Sequence, residues 1–305
     1  MSLQTEVVPA NDAGITRAAR LVLEGLPVAV PTETVYGLAA DATDAKAVAR
    51  IYAAKGRPAF NPLIVHVASL EEAMRIGLFS DTAKQLAEAH WPGPLTMVLP
   101  HRGESGIAGL VTAGLDTIAI RCPAHPVMRQ LIETAGRPLA APSANASGKI
   151  SPTTAAHVMT SLDTRIAMVI DGGPTQRGIE STIVAVEGDE VRLLRRGPIE
   201  IKGAIEEDSG KVEAPGQLAS HYAPSKKIRL DALHPAPDEI LIGYGEVEGE
   251  LSLGKDPVTA AARLFAALHE ADASPHPRIA VAPIPGDGLA AAIRDRLQRA
   301  AAPRP

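Results

Sequence analysis

Residues 44–66 restrict the possible folds of this chain more than any other stretch, because they predict a helix, a basic loop and a buried strand in direct succession. The side chain of Asp44 can cap a helix over residues 45–54, and Gly56 is typical of the residue that ends one. Residues 63–65, Leu-Ile-Val, form a short apolar run that predicts a buried strand. Helices that alternate with buried strands are typical of an α/β fold.

The loop between this helix and this strand carries two cations, Lys55 and Arg57. Two prolines and Asn61 restrict the loop, so the ammonium and the guanidinium fork are held in a limited range of positions that suits a phosphate. We expect such loop cations to contribute little to the stability of the fold. The alternative is that they only complement the dipole of the preceding helix, with His66 as an ordinary strand-end residue. This stretch by itself supports the two interpretations equally.

The composition and the order of the predicted elements favour two α/β domains. The chain has 305 residues, of which 46% are hydrophobic but only 3% aromatic, so its core is built from Ala, Leu, Val and Ile rather than from aromatic rings. We predict a twisted, mixed parallel/antiparallel open sheet with helices over residues 10–205, mixed because a hairpin joins 181–186 to 191–197. A linker over 206–226 leads to a second, smaller α/β domain over 227–305, which is Rossmann-like.

Charge and cysteine content exclude several classes of protein. Cys122 is the only cysteine, which excludes a disulfide framework and a cysteine-based zinc site and favours a reducing cytoplasm. The first six residues lack the pattern of a signal peptide and no apolar run reaches membrane-spanning length, so we expect a soluble cytoplasmic protein. Residues 1–205 hold 19 Lys and Arg against 20 Asp and Glu, and the remainder holds 11 against 15. Net charges of −1 and −4 argue against a stable nucleic-acid complex.

Two polar stretches follow apolar strands, which is where open α/β sheets place groups that contact ligands. Residues 31–38 contain three hydroxyl side chains and a carboxylate, although Thr and Tyr could also simply continue the sheet. Residues 142–153 form a small-residue loop that suits phosphate oxygens, or else an ordinary connection. Arg121 lies on the buried face of a predicted strand over 116–123 and needs an anionic partner. That partner is a carboxylate of the protein, which we slightly favour, or one of a ligand.

Taken together, five motifs in this order resemble the YrdC-like threonylcarbamoyl-AMP synthases, over about residues 10–205. Residues 220–224 and the following tail resemble the long, two-domain branch of that family. The resemblance implies a YrdC-like catalytic domain and a nucleotidyltransferase that converts L-threonine, bicarbonate and ATP into threonylcarbamoyl-AMP and pyrophosphate. The product would supply the downstream tRNA threonylcarbamoyl-transfer machinery, which modifies the adenosine next to the anticodon. The motifs are Pro31-Thr32-Glu33-Thr34-Val35-Tyr36-Gly37-Leu38, the Lys55-to-His66 stretch, Trp91-Pro92-Gly93-Pro94-Leu95-Thr96, Pro142-Ser143-Ala144-Asn145-Ala146-Ser147-Gly148 and Glu180-Ser181-Thr182.

The same resemblance implies roles for individual residues. Lys55 and Arg57 would be catalytic as cations around the phosphates, and Mg²⁺ would accompany ATP, held by substrate oxygens rather than by a protein metal site. Arg121 would bind the threonine carboxylate, which reverses the earlier preference for a carboxylate of the protein as its partner. The ATP side would comprise Lys55, Arg57, Asn61, Thr117, Ser143, Ser151, Arg195 and Tyr222. The threonine side would comprise Thr32, His66, Arg121, the backbone of Ala141, and Ser181.

The predicted linker carries an aromatic pair, His221 and Tyr222, that a solvated linker does not need. By resemblance, we expect residues 214–224 to fold over the nucleotide site as a lid, with Tyr222 closing on the ligands and excluding water. The alternative is a spacer whose tyrosine packs on the second domain.

Two other functions would use a similar catalytic domain. A double-stranded-RNA-binding module is disfavoured by the net charge of the first 205 residues. A carbamoyl-transfer domain of hydrogenase maturation is disfavoured because such chains are larger and carry cysteine-rich zinc modules, whereas this chain has a single cysteine.

Overall fold

The computed structural model describes residues 4–206, 212–217 and 219–303, in which two α/β units pack against each other. Residues 207–211 and 218 of the predicted linker, and the chain ends 1–3 and 304–305, lie outside the described residues. The strands are β1 (Glu6–Pro9), β2 (Val28–Val30), β3 (Gly37–Asp41), β4 (Ile64–His66), β5 (Leu95–Pro100), β6 (Thr117–Arg121), β7 (Leu139–Ala140), β8 (Met168–Asp171), β9 (Thr182–Glu187), β10 (Glu190–Arg195), β11 (Lys227–Arg229), β12 (Glu239–Gly243), β13 (Leu251–Ser252) and β14 (Arg278–Val281). The helices are α1 (Asp12–Leu23), α2 (Ala45–Lys55), α3 (Leu70–Ile76), α4 (Asp81–His90), α5 (Gly109–Thr112), α6 (Pro126–Ala135), α7 (Ala155–Leu162), α8 (Pro257–Ala273) and α9 (Leu289–Ala301).

The first ten strands form one mixed sheet, as the sequence predicted. Their spatial order is β1-β8-β2-β3-β7-β4-β6-β5-β9-β10. β4 and β6 are parallel neighbours, whereas β5 pairs antiparallel with β6, and β9 pairs antiparallel with β10 in the predicted hairpin. In the β4–β6 pair, His66 is the register partner of Arg121, so both residues lie at the carboxyl ends of their strands on the same edge of the sheet.

The capping residues read from the sequence form the helix ends. The Asp44 side chain accepts a hydrogen bond from the backbone N–H of Lys46 at the start of α2, and Gly56 ends this helix in the left-handed conformation with φ 59°. Strands β1, β3, β11 and β13 and the short helix α5 were not predicted. β3 reads Gly-Leu-Ala-Ala-Asp, a composition with weak strand propensity, and it forms because it is buried between β2 and β7.

The second unit has a parallel four-stranded sheet in the order β11-β14-β12-β13, with α8 and α9 packed together. This arrangement agrees with the predicted small α/β domain. Its hydrophobic core is continuous with Val35, Ile150 and Ile179 of the first unit, so the two units share buried apolar surface beside the polar stretches of the first sheet. Across the described ranges, no helix combines the length and the apolar character needed to cross a membrane.

Candidate active site

A cavity of about 50 Å³ lies beyond the carboxyl ends of β4 and β6, where His66 and Arg121 end their strands. The first unit contributes seven chain segments to its wall, and the linker contributes two more. The lining residues are Thr34, Val35, Arg57, Ile64, His66, Arg121, Ala141, Pro142, Ser143, Glu180, Ser181, Arg195, Pro215, Gly216, His221 and Tyr222. Residues more than 150 positions apart in the chain therefore meet at one place, where open sheets bind ligands.

Arg121 is buried in the cavity wall, and each of its three guanidinium nitrogens donates to a protein group. Its Nη2 donates to Glu33 Oε1 at 2.6 Å, its Nη1 to Thr34 Oγ1 at 3.1 Å, and its Nε to the carbonyl oxygen of Gly93 at 3.3 Å. A guanidinium has five N–H groups, so two of them have no partner among the described residues. The protein supplies a carboxylate for Arg121 and also leaves donors that can bind a second anion.

Two titratable groups beside Arg121 have perturbed pKa values. Burial alone would raise the pKa of Glu33, but the positive charge of Arg121 and its hydrogen bond outweigh burial and lower it, so Glu33 is ionised. Burial, reinforced by the charge of Arg121, lowers the pKa of His66 to about 3. His66 is therefore neutral at pH 7 and presents one ring N–H and one ring lone pair.

Arg57 is buried rather than projecting freely from its loop. Its Nη2 donates to Asn61 Oδ1 at 2.7 Å and to the Pro62 carbonyl at 2.8 Å, and its Nε donates to the Asn61 carbonyl at 3.1 Å. Burial lowers the pKa of Arg57 to about 10, which keeps the guanidinium charged at neutral pH. Three hydrogen bonds tie Arg57 to its own loop, which argues against the expectation that this cation contributes little to folding. Asn61 braces Arg57 and does not line the cavity.

Lys55 lies beneath the loop that follows β7. Its Nζ donates to the carbonyl oxygens of Ser143 at 2.6 Å and Asn145 at 2.5 Å. The Lys55 side chain is 2% exposed and does not line the cavity, whereas Ser143 does. Burial together with the neighbouring charge of Arg57 lowers the pKa of Lys55. Lys55 thus shapes the Ser143 loop from below.

Arg195 joins the end of β10 to the start of β9 and to the linker. Its Nη2 donates to Ser181 Oγ at 3.1 Å, its Nε to the Ser181 carbonyl at 3.0 Å, and its Nη1 to the Pro215 carbonyl at 3.1 Å. Ser181 Oγ also lies 2.7 Å from Thr96 Oγ1. These bonds fix the position of Ser181 in the cavity wall and tie it to the linker.

The other predicted site residues lie at different depths. Ala141 lines the cavity, and its backbone N–H donates to the carbonyl of Ile64 at 3.0 Å. Thr32 does not line it, because its hydroxyl donates to the Val35 carbonyl at 2.6 Å and organises a turn that presents Thr34. Thr117 begins β6, about 13 Å from Arg121 along the strand.

The linker closes one side of the cavity. Tyr222 is 1% exposed, lines the cavity, and stacks on Phe265 of α8 with ring centroids 5.4 Å apart. Its hydroxyl has no hydrogen-bond partner among the described residues. Tyr222 therefore packs on the second unit and also lines the cavity, and its action as a lid over bound ligands stays a prediction.

Sequence reasoning did not assign Glu33, Thr34, Glu180 or His221 to the site. Three of them belong to motifs that had been recognised, namely residues 31–38 and 180–182, but side-chain direction in those loops is set by contacts with distant strands. Ser151, which was assigned, lies just behind the wall and donates its hydroxyl to Glu180 Oε1 at 2.5 Å. Among residues 4–206, 212–217 and 219–303, no group of three or more His, Cys, Asp or Glu side chains could hold a metal ion.

Two family models match overlapping parts of the chain, which together span residues 20–302. The Sua5, YciO and YrdC family, described as "Telomere recombination", matches residues 20–197. The family described as "Threonylcarbamoyl-AMP synthase, C-terminal domain" matches residues 175–302. The first match includes strands β2 to β10 of the ten-stranded sheet, and the second includes the linker and the four-stranded unit.

Individual relatives match over nearly the full length of the chain. The threonylcarbamoyl-AMP synthase of Bacillus subtilis is 39% identical over 98% of this chain and 96% of its own length. The threonylcarbamoyl-AMP synthase of Pyrococcus abyssi is 38% identical over 93% of this chain and 92% of its own. The crystal structure of P. abyssi Sua5 complexed with L-threonine superposes with a TM-score of 0.90, at 36% identity, and covers 97% of this chain and 98% of that one.

Proposed function

The chain belongs to the threonylcarbamoyl-AMP synthase family, and on this premise we propose how its cavity carries out the synthesis of threonylcarbamoyl-AMP. The substrates are L-threonine, bicarbonate and ATP, and the products are threonylcarbamoyl-AMP and pyrophosphate. The observation that carries the proposal is that one cavity brings together a neutral histidine, a partly unpaired arginine, and two further buried arginines, Arg57 and Arg195.

Threonine binds on the Arg121 side of the cavity in this proposal. The two unpaired N–H groups of Arg121 receive the threonine carboxylate, and the ion pair with Glu33 fixes the plane of the guanidinium. Neutral His66 and the hydroxyl of Ser181 lie in the same wall and can bond the polar groups of threonine. Ala141 contributes backbone groups, and Thr32 acts through the turn that presents Thr34.

ATP binds on the side of Arg57 and Arg195. Both guanidinium groups are buried beside the cavity, where a low local dielectric strengthens their attraction for phosphate oxygens. Ser143 lines the cavity on the loop that Lys55 supports, and Asn61 holds Arg57 in place. Ser151 acts from behind the wall. Thr117, on the same strand face as Arg121, can reach only a ligand that extends along the sheet.

The chemistry needs positioning and charge rather than a protein nucleophile. The threonine amine and bicarbonate form a carbamate with loss of water, and a carbamate oxygen attacks the α-phosphorus of ATP while pyrophosphate leaves. Charge accumulates on the phosphate oxygens during this step, so preorganised arginines lower the barrier. The thiol of Cys122 is unsuited to covalent catalysis, since burial raises its pKa to about 11. Closure by Tyr222 would keep water from the mixed anhydride.

A magnesium ion would arrive with the triphosphate. The two carboxylates nearest the cavity, Glu33 and Glu180, are each engaged by an arginine, Arg121 and Arg296. Mg²⁺ is commonly held by substrate phosphates and water with few protein ligands, which fits these residues. We therefore propose Mg²⁺ bound through ATP oxygens.

The cellular setting follows from the reaction. We propose a cytoplasmic enzyme whose product passes to the tRNA threonylcarbamoyl-transfer machinery, without a stable nucleic-acid complex, because the net charge of −5 gives no general attraction for phosphate backbones.

The deciding experiment is pyrophosphate release from ATP by the purified full-length chain. Release should require both threonine and bicarbonate, and the adenylate should be detected by mass spectrometry. Serine in place of threonine serves as the matched control for amino-acid recognition. Pyrophosphate release that does not depend on threonine would contradict the proposal.

A further inference from the structure

Arg296 is a fully buried charge that the second unit contributes at the boundary between the two units. It lies on α9 and is 0% exposed. Its Nε donates to Glu180 Oε2 at 3.1 Å, its Nη1 to Asp295 Oδ2 at 2.8 Å, and its Nη2 to the carbonyl of Arg196 at 2.8 Å. Two of these three partners belong to the first unit, so Arg296 connects the units directly.

The partner Glu180 belongs to the cavity wall. It precedes Ser181 in the chain, and both residues line the cavity. While Oε2 of Glu180 faces Arg296, Oε1 accepts the hydroxyl of Ser151 at 2.5 Å. Arg296 therefore bonds a carboxylate that contacts Ser151 and directly precedes Ser181, two residues assigned to different substrates.

Arg296 also lies over the ring of Tyr222. The guanidinium carbon is 5.6 Å from the ring centroid, which is within the range of a cation–π contact. The second unit also contributes Phe265 of α8, which stacks on the same ring. The preceding residue of the linker, His221, donates its backbone N–H to the carbonyl of Arg299 at 3.2 Å. Both ends of the aromatic pair are thus held by the second unit.

Two contacts that do not involve Arg296 show that the second unit fits closely against the same loops. A Cβ atom on Gly178 would lie 2.3 Å from the carbonyl oxygen of Ala261 in α8, so the loop before Glu180 lies directly on this helix. The ring of His269 on α8 stacks on His157 with centroids 3.9 Å apart, and its Nε2 lies 3.2 Å from the Ser151 carbonyl. The second unit therefore supports the wall at several points.

A buried ion pair by itself adds little to the free energy of unfolding, because the cost of desolvating both charges offsets most of their attraction. Apolar residues of similar volume are often as stabilising. From these contacts we infer that Arg296 is a positioning residue for adenylate synthesis, which sets Glu180 and Tyr222 in the closed geometry of the cavity. This inference rests on the proposed function. It makes the second unit a structural part of the catalytic site rather than an appendage.

The test compares full-length Arg296→Lys with the control Arg294→Lys on the same helix. Within the part of the chain that the structure describes, Arg294 bonds to the carbonyls of Ile284 and Gly286, both in its own unit. Lysine at 296 keeps the charge that balances Glu180 but loses the fork that also holds Arg196, so the fold should persist. We expect kcat to fall by about tenfold to a hundredfold with little change in the threonine KM, as for other residues that orient a site. Arg294→Lys should keep wild-type turnover.

A second measurement does not depend on activity. Hydrogen exchange of the ligand-free variants should be faster in Arg296→Lys within peptides covering 176–183 and 219–224, and unchanged in α6. The double variant Arg296→Met with Glu180→Gln removes both charges, so it should regain melting temperature relative to Arg296→Met but not turnover.

Wild-type kcat and wild-type exchange in Arg296→Lys would overturn the inference. Full recovery of turnover in the double variant would also overturn the inference, because this recovery is expected if Arg296 only balances the charge of Glu180 during folding. If the wild-type chain released no pyrophosphate with threonine, the proposed function would fail, while the exchange measurement would still decide whether Arg296 orders these segments.

Discussion

Arg121 and Glu33 form a buried ion pair in the cavity wall, with 2.6 Å between Nη2 and Oε1 and both side chains less than a tenth exposed. The two interpretations of Arg121 drawn from the sequence, a protein partner and a ligand partner, do not compete. Glu33 and two further protein acceptors take three of the five N–H groups of Arg121, and the other two have no partner among the described residues. In the proposed function, this pair would present threonine with a guanidinium whose orientation is already fixed.

Arg121→Lys should raise the threonine KM while leaving ATP affinity nearly unchanged. Lysine retains the charge next to Glu33 but cannot form a bidentate bond to the threonine carboxylate. The loss of such charge-assisted bonds corresponds to about 1.5–3 kcal/mol, or roughly a tenfold to hundredfold rise in KM. Steady-state kinetics with each substrate varied in turn gives the answer. A fall in ATP affinity with an unchanged threonine KM would mean that the two sides of the cavity are assigned the wrong way round.

Arg57→Ala should lower turnover by about a hundredfold, the usual effect of losing one preorganised donor to a transition state, or about 3 kcal/mol. Its melting temperature should fall as well, because Arg57 holds the loop through Asn61 and Pro62. Asn61→Ala is the matched control, since it removes one brace and keeps the charge. Unchanged turnover in Arg57→Ala at a temperature where the variant is folded would exclude a role at the phosphates.

Stability should fall as the pH is lowered from about 6.5 towards 3, partly because of His66. Its pKa is about 3 in the folded chain and about 6.5 when unfolded, so between these values the unfolded state binds the extra proton. In that window His66 contributes a loss of about 1.4 kcal/mol per pH unit.

Urea unfolding at pH 7 and pH 5 measures this dependence. His66→Gln should show a shallower loss than wild type, whereas exposed His234→Gln should match wild type. Equal slopes for His66→Gln and wild type would show that His66 is not the buried neutral group described here.

Tyr222→Ala should release more free AMP per pyrophosphate than wild type, because water would reach the adenylate through the gap left by the ring. Tyr222→Phe keeps the ring against Phe265 and should retain the wild-type product ratio. Threonine and ATP together should also protect residues 212–224 from proteolysis. Identical cleavage with and without ligands, together with a normal ratio in Tyr222→Ala, would reduce the linker to a tether.

The sequence by itself determined the parts of this protein that depend on neighbours in the chain. Caps at Asp44 and Gly56 fixed α2, and apolar runs fixed most strands, because local backbone geometry and burial periodicity act over a few residues. The order of the motifs, with their loops at strand ends, was enough to indicate the family and eight of the sixteen residues that line the cavity. Short strands such as β3 escaped detection, since their stability comes from the strands on either side.

Only the tertiary structure decided which side chains face the cavity and which support it. From the sequence, the loop residues that line the cavity cannot be told apart from Lys55, Asn61 and Ser151, which lie behind its wall. The direction of a buried loop side chain depends on which distant carbonyl or carboxylate forms its hydrogen bond. The role of Arg296 was also decided only by the tertiary structure, because in the sequence it is one of several charged residues on an Ala-rich helix. Its burial against Glu180 and Tyr222 exists only when the two units pack together, and no local pattern records that contact.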